Sequence, residues 1–128
     1  MELPTYTPHL KHRNGTPGAS QWTISEQDEH VTFALSWGSG WCHGQKGWGL
    51  HLVGGVITRL GMIVNPTMSV YIARFVGDAG RVSWHGYPAD GRKPQDIPIE
   101  PVRRQWLDLK VLTPAKIRKI AKGERWKP

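Results

Sequence analysis

Apolar and polar positions alternate through much of residues 21–85, with the two-residue period of half-buried strands. In residues 30–37, Val31, Phe33 and Leu35 interleave with Thr32, Ala34 and Ser36. Val31, Phe33, Leu35 and Trp37 are therefore expected to face a core. Residues 21–25 have the same β-branched and aromatic character. The polar run Glu26-Gln27-Asp28-Glu29 separates the two, which predicts a hairpin. Residues 50–62 read as a strand pair broken at Gly54-Gly55, with a short helix as the competing reading. Residues 68–76 carry apolar groups on both sides: Val70 and Ile72 on one, Tyr71, Ala73 and Phe75 on the other. That is the pattern of a central strand covered on both faces. Gly77-Asp78-Ala79-Gly80 then predicts a turn, with residues 81–85 returning as its partner.

After residue 98 the period lengthens. Ile99, Val102, Trp106 and Leu109 fall on one helical stripe, and Pro101 fits only a first turn. Arg104 and Asp108 are spaced as an i,i+4 pair. A second helix has a defined start: Thr113 as N-cap, Pro114 at the first helical position, and Leu112 placed to staple onto Ile117. Gly123 is its expected stop. Ile117, Ile120 and Ala121 share one face, while Arg118, Lys119 and Lys122 share the opposite one.

Three stretches lack either period. Residues 1–20 read as an irregular arm, and residues 86–98, with Pro88, Pro94 and Pro98, as a connector without regular structure. Residues 38–49 hold five glycines with Trp41 and Trp48 between them. The expected architecture is α+β: one domain over residues 1–128, with an antiparallel sheet body at 21–85 and a basic two-helix hairpin at 99–123.

Charge adds a partner class to this outline. The net charge is +7. Residues 1–90 contain six Lys/Arg and six Asp/Glu, so the excess lies wholly in residues 91–128. A basic face on a neutral body is the electrostatic footprint of a polyanion binder, which points to nucleic acid. Arg103, Arg104, Arg118, Lys119, Lys122 and Arg125 are the candidate phosphate contacts. A stricter version is a helix-turn-helix, with the turn at 108–113 and recognition by 114–122. Its weaknesses are the missing third helix and a turn without glycine. An acidic protein is the alternative partner, with the chain acting as an interaction or inhibitor module.

Other chemistry is less clearly marked. Trp41 and Trp48 either plug a packed loop or stack unpaired bases. A small nuclease, of the kind used as a toxin, would use His85 as general acid or base. Asp90 and Asp96 would be its carboxylate partners, with Glu100 further along. That reading competes with a packed Trp-His-Tyr corner, and a non-enzymatic binder is favoured over it. Cys42 and His43 are adjacent, so on a strand their side chains diverge, which disfavours a Cys/His nucleophile pair. No spaced ligand pairs predict a metal site, and no phosphate loop or dinucleotide fingerprint implies a cofactor. A single cysteine excludes an internal disulfide and suits a reducing compartment. With no signal-like run and no stretch near ~18 apolar residues, a cytoplasmic protein without a membrane partner is expected.

Overall fold

A computed structural model describes residues 3–128. The fold is α+β. Its elements run β1 (Thr5–Tyr6), β2 (Gln21–Trp22), α1 (Glu26–Gly38), β3 (Cys42–His43), β4 (Lys46–Leu50), β5 (Leu52–Val53), β6 (Val56–Ile57), β7 (Gly61–Ile63), β8 (Met68–Val70), β9 (Ile72–Gly77), β10 (Ser83–Pro88), α2 (Glu100–Asp108) and α3 (Pro114–Ala121). The main sheet has the order β1-β10-β9-β4-β3. All its pairings are antiparallel except β1 with β10, which is parallel. A smaller sheet has the order β2-β7-β8, and β5 and β6 form a separate hairpin.

The expected central strand is present: β9 sits between β10 and β4, and five of its six residues are buried. The Gly54-Gly55 break is a tight turn, with φ +58° and +80°, joining β5 to β6. Such positive φ values at both central positions match the twist of a two-residue hairpin.

The hairpin expected over residues 21–37 is not formed. Residues 26–38 are the helix α1. Ser25 caps it, accepting from the Asp28 N–H at 3.0 Å, and Glu26, Asp28 and Glu29 occupy its first turn. Carboxylates there favour the helix over a turn. The buried face of α1 is Glu29, Thr32, Phe33 and Ser36, a helical spacing in which three of four side chains are polar. Val31 and Leu35, expected in the core, are exposed. The polar groups are tolerated inside because each has a partner. The Thr32 hydroxyl donates to the Asp28 carbonyl at 2.7 Å, and Ser36 donates to the Trp48 carbonyl. Glu29 takes the Arg13 guanidinium at 2.7 Å and a hydrogen bond from Tyr6. Gly49 brings β4 close: a Cβ there would lie 2.8 Å from the Phe75 ring and 3.3 Å from the Thr32 methyl.

The arm at residues 1–20 is likewise built into the fold where it is described; residues 1 and 2 lie outside the described residues. β1 pairs with β10, Tyr6 is buried against Phe33 and Phe75, and residues 10–12 form a 3-10 turn. The connector at 86–98 is more regular than its prolines imply. Strand β10 runs on to Pro88, and Pro94–Asp96 form a second 3-10 turn.

Register assigns the two faces of the main sheet. Ala73, Phe75, Trp84 and Gly86, with Gly47 and Gly49, lie on one face. Phe75 and Trp84 there join Phe33 of α1 in one core cluster. Ile72, Arg74, Val76, His85 and Tyr87, with Lys46, Trp48 and Leu50, lie on the other. Helices α2 and α3 cover only one end of this second face. Val102, Trp106, Leu112 and Ile120 pack against Trp48, Leu50 and Ile72. Trp41 meets Trp106 edge to face at 5.7 Å. The opposite end, with His85 and Tyr87, is left for the N-terminal arm.

The helix pair follows its sequence signals closely. The Thr113 hydroxyl accepts from the Lys116 N–H at 3.3 Å. After α3, Gly123 at φ +68° closes a Schellman motif: its N–H bonds the Ile120 carbonyl, and the Glu124 N–H bonds the Lys119 carbonyl. Two details differ. Arg104 pairs with Glu100, one turn N-terminal, and not with Asp108, an order that agrees with the helix dipole. Leu109 is the C-cap of α2 and is exposed, so the apolar stripe ends at Trp106. Among the described residues, no helix is long and apolar enough to cross a membrane.

Candidate functional site

Strand periodicity puts His85 and Tyr87 on one face of β10. The N-terminal arm crosses beside them. The Thr7 N–H bonds the Trp84 carbonyl at 2.9 Å, which fixes where the arm leaves the sheet. Two residues on, the His9 ring lies parallel to that of His85, with centroids 3.8 Å apart and planes 9° apart. The next turn of the arm stacks His12 on Tyr87 at 5.3 Å. These four rings, with Lys11 and Lys93, line a cleft of about 550 Å³. No carboxylate lines this cleft among the described residues.

Hydrogen bonds set the chemical state of the rings. His12 Nδ1 is 2.8 Å from the Ser20 carbonyl. A carbonyl only accepts, so Nδ1 carries the hydrogen and Nε2 is the free nitrogen of the neutral ring. Burial lowers the His12 pKa. His85 is pushed down to about 4, first by burial and then by the positive fields of His9, His12, Lys11 and Arg74. At neutral pH it is therefore an uncharged imidazole, able to accept a proton. Tyr87 donates to Asp96 Oδ1 at 2.7 Å. Burial and the adjacent Asp96 raise its pKa, so the phenol keeps its proton.

Asp96 is a hub under the site, not a member of it. It is buried, and besides Tyr87 it accepts the Asp90 N–H at 3.1 Å. Its own carbonyl takes the Trp48 indole N–H at 3.1 Å. Arg74 lies against the same assembly. Its guanidinium sits 4.9 Å from the Trp48 ring centroid, and its Nε donates to the Gln95 carbonyl at 3.1 Å. Asp90 is engaged by Arg92 through two hydrogen bonds of 3.0 and 2.8 Å, which hold its carboxyl below the usual range. The carboxylate partners expected for His85 are thus committed elsewhere. The groups beside it are His9 and His12.

The other candidates separate clearly. Trp41 and Trp48 are 2% and 1% exposed, so neither presents a face for base stacking. Cys42 is half-buried with its thiol pKa raised by burial, unlike an activated nucleophile. Arg103 is turned inward to the Pro98 carbonyl at 2.6 Å, and Arg104 is held by Glu100. Arg118, Lys119, Lys122 and Arg125 are exposed, and none has an acid within ion-pair distance among the described residues. The helix-turn-helix reading fails on its support. The only other α-helix among the described residues, α1, packs on the opposite face of the sheet. No three His, Cys, Asp or Glu side chains converge to hold a metal ion among the described residues.

The end of the basic helix touches a loop that also contributes to the histidine cleft. Gly123, at the end of α3, packs on the loop after β10, where a Cβ would lie 2.9 Å from the Gly91 carbonyl and 3.8 Å from the Arg92 Cα. Lys93, next in that loop, lines the cleft. Sequence reading overlooked His9, Lys11 and His12. Their density of positive and imidazole groups was legible, but nothing local shows that the arm doubles back onto β10. Comparisons of this chain with protein-family models, curated proteins and solved structures give no match.

Proposed function

We propose that the protein binds nucleic acid through its phosphates, along a basic track that runs from the outer face of α3 to the histidine cleft. The observation that carries this reading is the exposed cation row Arg118, Lys119 and Lys122, unneutralised by any acid among the described residues and joined through Gly123 and the 91–93 loop to Lys93. Cations held this way neutralise phosphates and release condensed counterions, which gives affinity without base recognition. The apolar side of the same helix supports the reading, because Ile120 is buried and the cation row must face outward. Lys and Arg on α3, with no Asn or Gln beside them, suit phosphate contact better than base reading.

The test is binding to mixed-sequence DNA and RNA across a range of salt. Affinity should fall steeply with salt. The combined variant Arg118→Ala, Lys119→Ala, Lys122→Ala should weaken binding for all sequences alike and lower the salt slope by about one for each phosphate no longer neutralised. Parental affinity and slope in the triple variant would remove α3 from the binding face.

A further inference from the structure

We propose that the cleft lined by His9 and His85 cleaves RNA, by transfer of a phosphodiester to its own neighbouring 2′-hydroxyl. This rests on the nucleic-acid reading, and adds a reaction to it. The cleft holds the three kinds of group that this reaction uses. A proton acceptor is present at its floor: His85, half-buried on β10 and uncharged at neutral pH. A proton donor lies on it in parallel at 3.8 Å: His9, on the exposed arm. Lys11 and Lys93 line the same cleft, where no carboxylate among the described residues competes with a phosphate for them. Arg74 adds positive field from β9 beneath, and Tyr87, anchored by Asp96, backs His12 at the far side.

The reaction balances on these groups alone. A ring nitrogen of His85 takes the proton of the ribose 2′-hydroxyl. The 2′-oxygen forms a bond to phosphorus, and the phosphorus–O5′ bond breaks. Protonated His9 gives its proton to the departing O5′. The products are a 2′,3′-cyclic phosphate end and a free 5′-hydroxyl end. The pair is left with its proton on His85, and exchange with solvent returns it to His9. Lys11 and Lys93 compensate the charge that gathers on the non-bridging oxygens. DNA has no 2′-hydroxyl, so it is bound but not cut.

The experiment incubates the full chain with total RNA, and with a mixed-sequence RNA oligonucleotide and its DNA counterpart, with and without excess EDTA. Binding is measured on the same samples. The expected result is cutting of RNA but not DNA, with ends carrying 2′,3′-cyclic phosphate. His9→Ala, on the exposed arm, and His85→Asn, which keeps a planar polar group in the sheet, should each slow cutting by about 10²-fold or more. RNA binding should persist in both. RNA bound but left intact by the parent would overturn the proposal while sparing the binding reading. So would cutting that EDTA abolishes, or cutting by both variants at the parental rate. Absence of binding to either nucleic acid would overturn both together.

Discussion

Among single residues, the fold depends on a few polar groups that composition does not distinguish from surface ones. Glu29 is the clearest. Its side chain is fully buried and held by Arg13 and Tyr6, which ties α1 to the N-terminal arm. Removing one partner of a buried pair leaves the other charge uncompensated. Glu29→Gln should therefore cost about 3–5 kcal/mol, read as a fall in the chemical-denaturation midpoint. An unchanged midpoint would mean that Arg13 finds water instead. His85 makes a second prediction. Unfolded, it takes a proton near pH 6.5, whereas folded it resists until about 4. Between those values the unfolded chain binds more protons. Stability from this residue is thus complete above about 6.5 and declines as pH falls toward about 4. The downward shift of His12 acts in the same direction. His85→Asn should flatten the stability–pH curve in that window, measured by urea unfolding at several pH values. Parallel curves for variant and parent would show that the ring is protonated in the fold.

Among the elements, the two ends of the chain obey different rules. Helix α3 is specified locally by Thr113, Pro114 and Gly123, each acting within four residues of its own position. Helix α1 is not recognised from apolar alternation because its buried stripe is mostly polar, and its β-branched and aromatic residues suit a strand. A local signal was present all the same. Ser25 followed three residues later by Asp28 is a helix-start pattern, and the cap hydrogen bond is formed. Ser25→Ala should lower stability by about 1 kcal/mol, seen as a shift in thermal midpoint with the helical signal retained in the folded state. A loss well below this would assign the start of α1 to its packing on β4 rather than to its cap.

In the whole molecule, the layers decide what can be a site. Helix α1 seals one face of the main sheet and the α2–α3 pair seals one end of the other. The helices leave the end of the second face that bears His85 and Tyr87 uncovered, and the arm brings His9, Lys11 and His12 there. The same arrangement packs Gly123, at the end of α3, on the loop whose Lys93 lines the cleft. Those cations support no described side chain, so the triple variant of α3 should unfold within about 0.5 kcal/mol of the parent. Weaker nucleic-acid binding by that variant then reports missing phosphate neutralisation and not a disturbed fold.

Neighbours in the chain suffice for whatever is written within a turn or a strand's length. This includes the central strand around Ile72 and Phe75, the Gly54-Gly55 hairpin, the capped basic helix and the segregation of charge into residues 91–128. These depend on period, on caps and on φ. Only the packed chain makes Glu29 and Ser36 interior, makes Trp41 and Trp48 core, and sets Asp96 to brace Tyr87 rather than serve His85. Only there does His9 lie on His85, 76 positions away in the chain. The physical reason is common to all of these. Whether a polar side chain is buried, paired or open depends on which distant backbone packs against it, and no local period encodes that partner.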